Sequence, residues 1–115
     1  MPRALLLENI DPVAVELLSS AGYEVESVRG ALDEADLTAA LDGVDVLGIR
    51  SKTQATADVL AARPELAAVG AFCIGINQID LAAAAARGVA VFNAPYSNTR
   101  SVVELAIAEI ISLAR

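Results

Sequence analysis

The chain has 115 residues, with 15 acidic and 8 basic side chains, a formal charge of −7 and no histidine. Apolar residues make up 56% and charged residues 20%, which excludes a disordered tail; the acidic balance excludes nucleic acid, and no apolar run reaches the ~20 residues of a membrane span. Aromatics are only 3%, so the core must be Ala, Val, Leu and Ile, which suits helices packed on a parallel sheet.

Arg3–Glu8 (RALLLE) is an apolar run suited to a buried strand. Asp11-Pro12 supplies an N-cap and a proline at the first helical position. Val13, Ala14, Leu17 and Leu18 form one stripe of that helix, and Gly22 ends it. Tyr23–Val28 alternates apolar and polar residues, the pattern of a half-exposed strand. Asp33 caps a second helix, with Leu32 and Leu37 as a hydrophobic staple and Gly43 at its end. Asp45–Ile49 is a third strand, followed directly by Arg50-Ser51-Lys52-Thr53. Thr56 caps a short helix that must stop before Pro64. Leu66–Phe72 is a fourth strand. Asp80 caps the alanine-rich helix that closes on Gly88, and its run at Ala82–Ala86 reads as a tightly packed helix. Val89–Phe92 is a fifth strand, and Asn93–Asn98 a loop. Ser101 and Glu104 form a capping box opening a last helix, Val102 to about Arg115.

Five strands alternating with five helices predict an α/β fold: a doubly wound, parallel five-stranded sheet in the flavodoxin-like order 2-1-3-4-5, followed by a C-terminal crossover helix. In such sheets ligands bind beyond the carboxyl ends of the strands, where the strand order reverses. Here that point lies between strands one and three. It receives Glu8-Asn9 and Arg50-Ser51-Lys52-Thr53. Strands four and five bring Cys73–Asn77 and Asn93–Tyr96 to the same edge.

Arg50 and Lys52 are two of eight basic residues, and Lys52 is the sole lysine. A guanidinium grips a carboxylate bidentately, and an ammonium adds a point charge suited to phosphate. Backbone N–H groups before Thr56 offer to complete an anion nest. A solvated surface pair is the competing reading. Gly75 serves either as a loop glycine or as a place where a ligand approaches the backbone. Asn98 serves as a turn former or presents its amide to the crevice. Cys73 reads as a small buried apolar residue, since no histidine is present to activate it, and a single cysteine cannot form an internal disulfide. Without histidine no Cys/His metal cluster forms, and no metal site is expected. Neither G-x-G-x-x-G nor G-x-x-x-x-G-K-[ST] occurs. The N-terminus lacks a signal-peptide core, because Glu8 and Asp11 interrupt it. A cytoplasmic setting without membrane partners is expected.

The segments GIRSKT (48–53), AFCIGINQIDLAAAAARGVAVFNAP (71–95) and YSNTRSVVELAIAEII (96–111) are specific enough to resemble a known family. They are similar to the NAD-dependent D-2-hydroxyacid dehydrogenases, in their D-3-phosphoglycerate dehydrogenase branch, over essentially the whole chain. The resemblance implies a parent enzyme that oxidises 3-phospho-D-glycerate with NAD in serine biosynthesis. It implies that residues 1–98 are the N-terminal segment of a substrate-binding domain, and that 99–115 begin the crossover to an NAD-binding domain. Arg50, Ser51 and Lys52 would then meet a 3-phosphoglycerate-like acid. Ile74 and Gly75 would lie at the junction of substrate and nicotinamide, and Asn98 would help bind substrate. Ser101 would begin the helix facing the cofactor. The family's cofactor fingerprint and catalytic residues have no counterpart here, so no catalytic residue is expected in this chain, and the chain alone is expected to be inactive. A helix apolar on nearly every face, at Val102–Leu113, implies a homodimer or higher assembly. The alternative is a stand-alone module that binds a small anion, or only self-associates, without catalysis.

Overall fold

The computed structural model describes residues 2–10, 12–72 and 77–93. Their elements run β1 (Arg3–Leu6), α1 (Pro12–Ser20), β2 (Glu24–Ser27), α2 (Glu34–Ala40), β3 (Val46–Ile49), α3 (Ala57–Ala62), β4 (Ala68–Ala71), α4 (Leu81–Ala86) and β5 (Ala90–Asn93). The strands form one parallel sheet in the order β2-β1-β3-β4-β5, as the sequence predicts. Each strand has four residues, one to three fewer than its apolar run in most cases. The run at the end of β1 stops early because Glu8 and Asn9 turn left-handed, at φ 68 and 56. Asp11, Cys73–Ile76, the loop from Ala94, the Ser101–Glu104 box and the last helix lie outside the described residues.

Strand side chains alternate between two apolar layers, as the period of two demands. Leu5, Leu47, Ile49, Val69 and Ala71 face α2, α3 and α4, whose Leu37, Leu41, Val59, Leu60 and Ala84 complete that layer. Ala4, Leu6, Val46 and Ala68 face the other way, where Ala14 and Leu18 of α1 and Tyr23 pack. Strands covered on both faces explain why β1, β3 and β4 read as near-continuous apolar runs. β2, at the sheet edge, is mostly exposed.

The helices start where the sequence places their caps. Asp33, Thr56 and Asp80 accept from the amides of Asp36, Val59 and Ala83 at 2.8, 3.3 and 2.9 Å. Each satisfies one amide that a helix start leaves open. Leu32 packs against the cluster that holds Leu37, as the staple requires. Gly22 after α1 has φ 97, a left-handed end that glycine adopts without strain.

Gly48 in β3 has a different reason to be glycine. A Cβ there would lie 2.6 Å from Leu6 Cδ2, 3.1 Å from Phe72 Cε1 and 3.2 Å from Ile10 Cδ1. The close approach lets the residues at the ends of β1 and β4 pack over the centre of the sheet.

Candidate functional site

Parallel strands deliver their carboxyl ends to one rim. β1 ends beside β3: Leu7 N–H donates to the Gly48 carbonyl at 2.8 Å. β4 leaves at the same rim, where Phe72 N–H donates to the Ile49 carbonyl at 2.8 Å. The order reverses between β1 and β3, so the switch point is flanked by Glu8-Asn9 and by the loop 50–53.

The loop is held by side chains from two directions. Glu8 Oε2 accepts from the Arg50 amide at 2.7 Å and from the Thr53 amide at 3.1 Å, and Oε1 accepts from the Lys52 amide at 2.8 Å. On the other side, Gln78 Nε2 donates to the Arg50 carbonyl at 2.8 Å. The segment carrying Gln78 is itself tied down: Ala55 N–H donates to the Gln78 carbonyl at 2.8 Å, and Asp80 N–H to the Ala55 carbonyl at 3.0 Å. Ala55 and Ile79 form an isolated parallel bridge.

Glu8 is buried. Burial is the largest influence on its carboxyl and pushes its pKa up. The amides of Lys52, Arg50 and Thr53 together outweigh burial and leave the pKa below the ordinary carboxylate value. The Thr53 hydroxyl contributes least to that lowering. It is fully buried and meets no partner at full hydrogen-bond geometry among the described residues.

Arg50, Ser51 and Lys52 are all exposed. Neither cationic side chain forms an ion pair among the described residues, where one pair, Arg63 with Asp42, measures 3.5 Å elsewhere. The structure therefore brings Arg50, Ser51 and Lys52 together at the predicted rim. One expectation needs correction. The loop amides are not an open nest for a ligand, because three of them already bind Glu8. Ile74, Gly75, Asn98 and Ser101 lie outside the described residues.

The sequence places Glu8 at this rim without giving it a role there, and it leaves Gln78 out of the site. The signal for the role of Glu8 was weak but present: an acid directly after an apolar strand, at the switch point. Gln78 carried none.

A cavity of about 100 Å³ lies elsewhere, lined by Arg3, Leu5, Glu24, Val25, Glu26 and Val44 among others. Its carboxylates at Glu24 and Glu26 have the wrong charge for an acid ligand. No helix among the described residues is long and apolar enough to cross a membrane.

A doubly wound parallel sheet whose switch point carries cations with no ion pair among the described residues is a flavodoxin-like α/β domain built around that rim. The chain belongs to the D-isomer specific 2-hydroxyacid dehydrogenase family, matching its catalytic domain over residues 4–113. It is 50% identical over 113 residues to D-3-phosphoglycerate dehydrogenase 1 of Saccharomyces cerevisiae, covering 98% of this chain and 24% of that protein. It is 50% identical over 114 residues to D-3-phosphoglycerate dehydrogenase of Escherichia coli K12, covering 98% of this chain and 28% of that protein. The chain thus spans about a quarter of the length of these curated relatives. Among solved structures, the TT0316 protein from Thermus thermophilus superposes with a TM-score of 0.76 at 28% identity, covering 98% of this chain and 37% of that one. The family resemblance read from the sequence is therefore borne out.

Proposed function

We propose that this chain is the acid-holding part of an NAD-dependent phosphoglycerate dehydrogenase, which oxidises 3-phospho-D-glycerate to 3-phosphohydroxypyruvate for serine biosynthesis in the cytoplasm. The observation that carries the reading is the pair of exposed cations, Arg50 and Lys52, without an ion pair among the described residues and fixed at the switch-point rim of a chain that is half identical to such enzymes. Arg50 grips the substrate carboxylate or phosphate through its planar fork, Ser51 donates a hydroxyl, and Lys52 adds charge. Ile74, Gly75 and Asn98 complete the substrate side, and Ser101 faces the cofactor. Residues 1–98 form the substrate-binding segment, and 99–115 lead toward an NAD-binding domain.

NAD does not fit the described residues. No glycine-rich turn leads from a strand into a helix, and the amides best placed for a phosphate are taken by Glu8. The chain's share of the work is to bind and orient the acid. NAD would supply the hydride acceptor and residues outside this chain would take the hydroxyl proton, so the isolated chain is inactive.

In the full-length dehydrogenase carrying this chain, Arg50→Ala is expected to lower kcat/KM for 3-phosphoglycerate by about 2–4 kcal/mol of lost interaction. Unchanged kinetics would remove Arg50 from the site. NADH formation by the isolated chain would overturn its assignment as the inactive part.

A further inference from the structure

Main-chain N–H groups that converge from neighbouring residues make a concavity of positive potential that takes an anion. In the loop 50–53 the anion is part of the chain. All three amides that converge there, from Arg50, Lys52 and Thr53, donate to one carboxylate, at 2.7 to 3.1 Å. That carboxylate belongs to Glu8, which is 8% exposed and held at φ 68, a backbone region that side chains other than glycine, asparagine and aspartate seldom adopt. Two further backbone bonds hold it there: Glu8 N–H donates to the Gly30 carbonyl and Asn9 N–H to the Val28 carbonyl, both at 3.1 Å. A solvated acid needs none of this. The fully buried Thr53 hydroxyl, which meets no partner at full hydrogen-bond geometry among the described residues, lies in the same place.

We propose that Glu8 is the positioning residue of the cationic loop, an internal anion that fills its backbone nest. An incoming acid then meets the side chains of Arg50 and Lys52 and not the amides of Arg50, Lys52 and Thr53. The nest stays filled when no acid is bound, so the loop is preorganised and its cations stay at the rim. Only the loop's use in holding an acid rests on the proposed function; its attachment to Glu8 does not. A nest vacated by truncating Glu8 is one that a small free carboxylate can refill.

The test is amide hydrogen exchange followed by NMR in Glu8→Ala and Glu8→Gln, with acetate as the probe. In Glu8→Ala the Lys52 and Thr53 amides should exchange roughly tenfold to a hundredfold faster, while Leu47 and Val69 in the sheet keep their rates. Millimolar acetate, and not chloride at equal ionic strength, should restore slow exchange. Acetate should have no effect on Glu8→Gln, whose side chain still occupies the nest. Any other pattern overturns the proposal, including equal acceleration of loop and sheet. Should Glu8→Ala fail to fold, the unmodified protein decides. On acid titration the Arg50, Lys52 and Thr53 amide protons should shift with the same midpoint as the Glu8 carboxyl carbon; independent behaviour overturns the proposal. Loss of the acid-binding function in Arg50→Ala is a separate result, so failure of either reading can be told from failure of the other.

Discussion

Burial alone would drive the Glu8 carboxyl toward its neutral form, and three backbone amides reverse that. The reversal has a pH signature. The unfolded carboxyl, near 4.5, takes up its proton before the folded one as the medium is acidified. The stabilisation is therefore intact above the unfolded value and is lost as pH falls through the lowered folded value. Urea unfolding between neutral and acid pH should show Glu8→Gln less stable at neutrality, with the gap to the parent closing in acid. A constant gap would mean that the charge plays no part. Tyr23 carries the opposite sign. Burial, and then the charge of Asp45, raise its pKa, so its contribution holds below 10 and fades at more alkaline pH. Arg50 contrasts with both, being exposed and unpaired among the described residues. Arg50→Ala should change the unfolding free energy by less than about 0.5 kcal/mol, so any loss of acid binding is not a loss of fold.

At the scale of elements, the sheet depends on β3 approaching β1 and β4 closely at Gly48. Gly48→Ala sets a methyl against Leu6, Phe72 and Ile10. Leu6 is fully buried, so its Cδ2 yields only if the residues packed around it shift as well. The substitution should cost about 1–3 kcal/mol, read as a lower urea midpoint at unchanged slope. α3 shows a smaller dependence. Thr56 caps it through Val59 N–H and also donates its hydroxyl proton to Glu34 Oε2 at 2.9 Å, joining the starts of α2 and α3. Thr56→Ala should cost roughly 1 kcal/mol, and Thr56→Ser should recover most of it. Full stability in Thr56→Ala would show that packing of Val59 and Leu60 holds α3 without its cap.

For the whole molecule, residues 102–113 carry Val102, Val103, Leu105, Ala106, Ile107, Ile110, Ile111 and Leu113, apolar on nearly every face of the helix the sequence predicts. We propose that this surface is covered by a second copy of the chain. Light scattering at about 50 µM should give at least twice the monomer mass, and replacing Ile107 and Ile111 by Glu should lower it to one. A clean monomer for the parent chain would sink the idea.

The order of elements and their caps were legible in the sequence because they rest on separations of two to four residues, and the strand order followed from the fold class that alternating strands and helices define. Asp33, Thr56 and Asp80 each cap an amide three positions on, a spacing visible in any one-dimensional reading. The rim that carries Arg50 and Lys52 followed from strand order alone. The fastening of that rim did not. Glu8 reaches amides 42 to 45 positions away, and Gln78 a carbonyl 28 positions away. Every residue but proline has an amide, so no letter marks the three that are left unsatisfied beyond the end of β3. Only the register of β1 against β3 puts a carboxylate beside them, and that register is a property of the assembled sheet.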